Sequence, residues 1–262
     1  MLYLLSPAKT LDYTSDAPAL TATTPHFMAR ATELIGLLRE KSADDIAALM
    51  NLSAPLAELN VARYAAWRPR AGTRHSRPAA FAFDGDVYGG LGARQLAEPD
   101  LAWAQQHLVI LSGLYGVLRP LDRLQPYRLE MGTALANPNG PDLYRYWGDT
   151  IALHLNRILK ADATPVVVNL ASQEYFRAVS RKALKARVID CVFEDWKDGA
   201  GGGQYKVISF FAKRARGLMA RHAITHRVAT PEGLRTFNAE GYALDTDASA
   251  PDRFVFRRRL AA

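Results

Sequence analysis

His222 and His226 stand four residues apart in a stretch with helical patterning, so both imidazoles fall on one face and could share a metal ion. A zinc or iron site needs further donors. No carboxylate lies between them or within several residues on either side, which removes the glutamate of a zincin, and no Glu is followed three residues on by His, which removes the di-iron bundle pattern. The pair therefore reads as helix-end histidines supporting the helix dipole or binding phosphate, and no metal is expected. Cys191 is the single cysteine, which excludes an internal disulfide and a thiolate-rich zinc site. Its apolar neighbours Val188, Ile189, Val192 and Phe193 predict a buried, inert thiol. Gly199–Gly203 lacks the Lys-Ser/Thr of a phosphate loop, Gly85, Gly89, Gly90 and Gly92 do not match a dinucleotide fingerprint, and no Gly-x-Ser-x-Gly elbow occurs. No cofactor is expected.

Positive charge offers more. Net charge is +7, and three segments carry cations without an acid. Leu59 to Phe83 holds Arg63, Arg68, Arg70, Arg74 and Arg77; Tyr175 to Ile189 holds Arg177, Arg181, Lys182, Lys185 and Arg187; Gly199 to Pro231 holds Lys206, Lys213, Arg214, Arg216, Arg221 and Arg227. Such blocks predict a positive face for a polyanion. On a helical wheel Ala212, Ala215, Leu218, Met219 and Ala223 share one arc, which leaves Lys213, Arg214, Arg216 and Arg221 on the other. That helix is expected to present four cations together. Ser42–Trp67 reads as helix, tight turn, helix, with Ser53 at the second N-terminus, a place where backbone N–H groups can meet a phosphate. The turn Asn51-Leu52-Ser53-Ala54 lacks the glycines usual in helix-hairpin-helix motifs, and an ordinary αα-hairpin fits it equally. The DNA-binding set expected is Arg63, Lys206, Lys213, Arg214, Arg216, Arg221 and Ser53, reading phosphates of double-stranded DNA rather than base edges.

These residues need a scaffold. With 262 residues and 49% hydrophobic content, one large domain can bury a sizeable core. The linker candidates, Ala17–Pro25 and Gly199–Gly203, do not join two halves that look complete alone. Strands are predicted at Leu2–Leu5, Ala79–Phe83, Leu108–Leu111, Pro165–Leu170, Arg187–Phe193 and Tyr205–Phe211, with Phe254–Phe256 as an edge strand. Helices are predicted at His26–Lys41, Asp44–Met50 behind a Ser42/Asp45 capping box, Ala54–Trp67, Asp142–Leu159 and Ala212–His226. Without a steady βαβ rhythm, the order points to a single α+β domain over residues 1–262, a mixed β-sheet surrounded by helices. Met1–Leu5 is too short for a signal-peptide core and no apolar run approaches a membrane span, so a cytosolic chain with no membrane partner is expected, most simply a monomer.

Several stretches resemble the YaaA peroxide-stress family in order along the chain. They are Leu5-Ser6-Pro7-Ala8-Lys9-Thr10-Leu11, Phe83–Tyr88, Leu111–Asp122 continuing through Gln125–Gly132, Tyr146–Asp149, Asn169–Phe176, Ile208–Phe210 and Ala212–Arg221. The resemblance implies a role in peroxide stress, limiting damage from unincorporated iron and hydrogen peroxide. It also implies a DNA-binding α+β fold with a positive cleft and a helix-hairpin-helix, matched here to residues 42–67, with Gly113-Leu114-Tyr115-Gly116 as a second candidate. The same motifs carry groups a plain phosphate surface does not need. An enzyme acting on a small molecule or nucleotide is the competing expectation, with Lys9, Tyr127, Arg128, Glu130, Asn169, Ser172, Glu174 and Lys213 converging on one pocket.

Overall fold

The computed structural model describes residues 1–15, 21–199 and 202–259, so both linker candidates fall partly outside the described residues. Strand β1 (Leu2–Leu5) is buried at every position, because parallel neighbours flank it on both sides and no residue faces water. Pro7 ends it, and β2 (Thr10–Leu11) follows. Helix α1 (Met28–Arg39) buries Ala31, Leu34, Ile35 and Leu38, one apolar stripe. Before α2 (Ala43–Met50) both halves of the capping box form: Asp45 N–H donates to Ser42 Oγ at 3.1 Å and Ser42 N–H to Asp45 Oδ2 at 2.9 Å. Asn51, left-handed at φ 51°, stops α2. Ser53 stands at the head of α3 (Ala54–Ala66), but its side chain makes no cap bond. The segment expected as a strand at Ala79–Phe83 is instead β3 (Arg77–Pro78), one helical turn α4 (Ala79–Ala82) and β4 (Phe83–Asp84). Its three alanines favour helix over strand, and the Ala79 and Ala80 amides are taken by Asp122 and Pro120 carbonyls.

Next come α5 (Asp86–Leu91), α6 (Glu98–His107), β5 (Leu108–Ser112), β6 (Gly116–Leu118) and β7 (Arg123–Leu124). The long helix expected over Asp142–Leu159 is two, α7 (Leu143–Trp147) and α8 (Thr150–Ile158). Gly148, at φ 45° and ψ −123°, breaks it with a backbone no helix contains. Strand β8 (Val166–Leu170), helix α9 (Gln173–Phe176), β9 (Arg187–Lys197) and β10 (Gln204–Lys206) lead into α10 (Ser209–Thr225). The strand expected at Tyr205–Phe211 therefore stops at Lys206, since Val207 and Phe210 are exposed and have no sheet to fill. Helix α11 (Pro231–Leu234), β11 (Ala243–Ala250) and β12 (Arg253–Arg258) are the last elements among the described residues.

The main sheet has eight strands in the order β11-β12-β9-β8-β1-β5-β6, with β10 on β9. Phe254–Phe256 lies inside it, between β9 and β11, so the expected edge position is corrected. The fold is α+β with a mixed sheet. Its central strands β5, β1, β8, β9 and β12 are all parallel. Numbered by their sequence among themselves they run 2-1-3-4-5, one of the common orders of open nucleotide-binding sheets. The order reverses between β1 and β8. The chain leaves β1 toward β5 on one side and leaves β8 toward β9 on the other, which opens a crevice beyond their carboxyl ends.

Helix α10 crosses α5 at backbone contact. A Cβ on Gly217 would sit 1.9 Å from the Val87 carbonyl oxygen, and one on Gly90 would sit 2.2 Å from that of Arg214. Glycine at both positions brings the middle of α10 down onto the loop beside the crevice.

Candidate functional site

The crevice holds a cleft of about 440 Å³. Its floor is the two loops that leave β1 and β8. Ser6 Oγ accepts the Ser172 amide at 2.8 Å and donates to Ser172 Oγ at 3.3 Å, and Ser172 Oγ in turn caps α9 by accepting from Tyr175 N–H. Tyr88 OH donates to the Ser6 carbonyl at 3.1 Å. The loop after β1 is thus fixed from both sides before it reaches Lys9.

One wall is the segment Tyr127–Glu130. Tyr127 OH bonds Ser112 Oγ at the end of β5 at 2.6 Å, and Tyr64 OH of α3 donates to the Arg128 carbonyl. Glu130 lies between two cations, with Lys9 Nζ 2.8 Å from Oε2 and Arg128 Nη2 2.9 Å from Oε1. Burial alone raises the Glu130 carboxyl, but the bonds from Lys9 and Arg128 outweigh it and hold the pKa below the ordinary value. Glu174 uses Oε1 to accept Gly132 N–H at 2.9 Å. Burial raises the phenols of Tyr127 and Tyr175 well above their usual range, so both remain protonated donors.

The opposite wall is Asp84–Val87 with Lys213 and Arg216 of α10. Arg216 is half-buried, and burial lowers its guanidinium below the ordinary value, though it stays a cation. Among the described residues neither Lys213 nor Arg216 has a hydrogen-bond or ion-pair partner. A desolvated guanidinium without a counter-charge is a site for an anion.

The cleft gathers Lys9, Tyr127, Arg128, Glu130, Ser172, Glu174 and Lys213. Asn169 does not join them: its amide donates to Asp190 Oδ1 at 2.8 Å and its carbonyl accepts Ala171 N–H at 3.0 Å, which shapes the end of β8. Ser6 lines the cleft as part of the polar motif Ser6–Lys9 just past an apolar strand, whereas the Asp84–Asp86 turn carries no such signal in the sequence.

The expectation of four cations presented together by α10 is corrected. Glu240, distant in sequence, clasps Arg214 through Nε at 2.9 Å, and Arg221 Nη1 donates to the carbonyls of Leu91 and Gly92 at 3.2 and 3.0 Å. Only Lys213 and Arg216 turn to the cleft. Arg63 donates to Asn60 Oδ1 at 3.3 Å and lies close enough to Arg128 for the two charges to oppose each other. Lys206 and Ser53 are exposed, on β10 and at the head of α3. His222 and His226 have rings 4.4 Å apart, and His226 Nδ1 lies 3.0 Å from the His222 carbonyl oxygen. Among the described residues no three His, Cys, Asp or Glu side chains cluster as a metal would require. Burial drives the Cys191 thiol pKa far up.

A family model described as peroxide stress protein YaaA matches residues 1–248. The chain is 64% identical over 260 residues to a UPF0246 protein of Methylibium petroleiphilum, covering 99% of this chain and all of that one. It is 64% identical over 262 residues to a UPF0246 protein of Paracidovorax citrulli, covering both completely. A UPF0246 protein of Bordetella petrii is 60% identical over 259 residues, 99% of this chain.

Proposed function

Starting from a chain that belongs to the peroxide stress protein YaaA family, we propose that it binds double-stranded DNA through phosphates, with little sequence preference, and so limits iron and peroxide damage as a cytosolic monomer. The observation that carries this reading is the pair of unpartnered cations, Lys213 and Arg216, on a rim that also holds Lys9 and Arg128. Arg63, beside the Tyr64 that ties α3 to Arg128, extends the same chemistry, and the exposed head of α3 at Ser53 is a separate contact at the far end of that helix. The α2–α3 hairpin then acts as the helix-hairpin-helix-like element, lending backbone donors to a phosphate. Among the described residues no helix is long and apolar enough to cross a membrane.

Fluorescence anisotropy with several unrelated duplexes, over a salt series, tests this. Replacing Lys213 and Arg216 together by Gln should weaken every duplex alike and reduce the salt slope by about two, one for each phosphate that the variant no longer neutralises. Arg214→Gln and Arg221→Gln should lower the melting temperature first, since both side chains are held by the protein's own acceptors. Unchanged affinity and slope in the folded double variant would sink the assignment.

A second reading, an enzyme acting on a small molecule, is favoured by the position of the cleft at the β1/β8 reversal, where open parallel sheets bind their ligands. Glu174 and the Lys9–Glu130–Arg128 cluster are the polar groups such chemistry would use.

A further inference from the structure

We propose that the cleft is a binding site for a single nucleotide unit, with its phosphate on Lys213 and Arg216 and its base on the apolar side at Pro7 and Ala8, within reach of Glu174. The inference rests on the phosphate-binding reading of the same cleft and names what that phosphate belongs to.

Four observations lead there. The cleft lies at the one place where the order of the parallel strands reverses, beyond the carboxyl ends of β1 and β8. Its volume, about 440 Å³, suits a ligand of mononucleotide size and is far too small for a duplex. Arg216 is half-buried with no counter-charge among the described residues, so the protein carries its desolvation without a partner of its own. Glu174 commits only Oε1, to Gly132 N–H; Oε2 has no partner among the described residues and is free to accept an amino or imino N–H.

Half-buried Pro7 and Ala8 give the cleft an apolar side on which a base can rest. Val87, Leu129, Tyr127 and Tyr175 are almost wholly buried and show only their edges, and Thr10, Asp84 and Asp86 add polar groups to the lining. Ser6 and Ser172 are already bonded to each other, so they add little to an anion. The unit can reach the cleft as a free mononucleotide or as a nucleotide swung out of a duplex, and the ligand chemistry is the same.

Isothermal titration with the four deoxynucleoside monophosphates, ribose 5-phosphate and inorganic phosphate tests the class. A duplex carrying 2-aminopurine opposite an abasic site, read by its fluorescence beside a fully paired duplex, tests the source. Either the free monophosphates bind about tenfold or more tighter than ribose 5-phosphate, or 2-aminopurine responds in a manner lost in Arg216→Gln. The first result assigns a free nucleotide and the second an extruded one. Glu174→Gln should weaken whichever of these binds while leaving inorganic phosphate unchanged. Ribose 5-phosphate binding as tightly as the monophosphates, with no 2-aminopurine response, overturns the inference while leaving phosphate binding intact. Loss of inorganic phosphate and paired-duplex binding as well would overturn the phosphate reading too. Circular dichroism melts of both variants establish that they are folded.

Discussion

His154 on α8 has a buried Nδ1 with no hydrogen-bond partner, and its ring lies 4.1 Å from that of His26 and 5.2 Å from that of Phe27. Burial lowers its pKa to about 4, and the charges of His26, Arg157 and Arg119 push the same way. In the unfolded chain it titrates near 6.5. Between those two values the unfolded chain holds a proton that the folded one refuses, so this contribution is full above 6.5 and is lost as pH falls toward 4. Its size is on the order of 2 kcal/mol, after allowance for the half-exposed ring. Urea titrations at pH 7 and pH 4.5 on wild type and His154→Gln measure it: the variant should lose less stability between the two pH values. Parallel losses in both proteins would place the acid sensitivity elsewhere. No sequence pattern announces this pair, because His26 precedes α1 and His154 lies far along the chain; only the packing of α8 against that entry brings them together.

At the scale of elements, the crossing of α5 and α10 holds the cations of the cleft in place. Gly217→Ala puts a methyl into the Val87 carbonyl, so α10 has to move away, at a cost of about 1–3 kcal/mol and with a loss of ligand affinity as Lys213 and Arg216 leave the rim. Gly89→Ala is the matched control. Its Cβ would meet nothing closer than Arg214 Nη1 at 3.7 Å, so the higher helix propensity of alanine should leave it neutral or up to about 1 kcal/mol more stable. Chemical denaturation of the two variants side by side distinguishes a steric effect from a propensity effect, and equal destabilisation would argue against backbone contact at the crossing. Elements written in local code were legible from sequence: the Ser42/Asp45 box, the apolar stripe of α1 and the buried run of β1. Elements set by tertiary context were not. Gly148 splits a stripe that reads as continuous, the alanines at 79–82 take one turn of helix, and β11, with the sequence Ala-Leu-Asp-Thr-Asp-Ala-Ser-Ala, is held as a polar edge by β12 rather than by its own propensity. The cleft followed the same division. Polar motifs just past strand ends marked Lys9, Ser172 and Glu174, whereas the neutralisation of Arg214 by Glu240 depends on a tertiary pairing no local pattern encodes.

Over the whole molecule, the sheet interleaves the two ends of the chain. β1 lies between β5 and β8, and β12 lies between β9 and β11, where Arg258 and Asp195 form a buried pair at 2.6 Å and Tyr242 OH adds a bond to the same carboxylate at 2.7 Å. Ending the chain at residue 250 removes β12 and leaves Asp195 a buried charge without its cation, a change that costs about 3–5 kcal/mol at the pair alone. The truncated protein should be insoluble or fail to melt cooperatively, and limited proteolysis of the intact chain should not release two stable halves. A soluble, cooperatively melting truncation would show that β12 is dispensable. The same arrangement governs how the protein is made. Leu2–Leu5 has to wait for partners at residues 108–112 and 166–170, and β12, which covers β9, is synthesised after β9, β8 and β5. Most pairings join residues far apart in sequence, so β1 stays unpaired until β5 and β8 have been made, and β9 lacks one neighbour until β12 has been made. An apolar strand that waits this long for its partners is the part of the growing chain most exposed to aggregation.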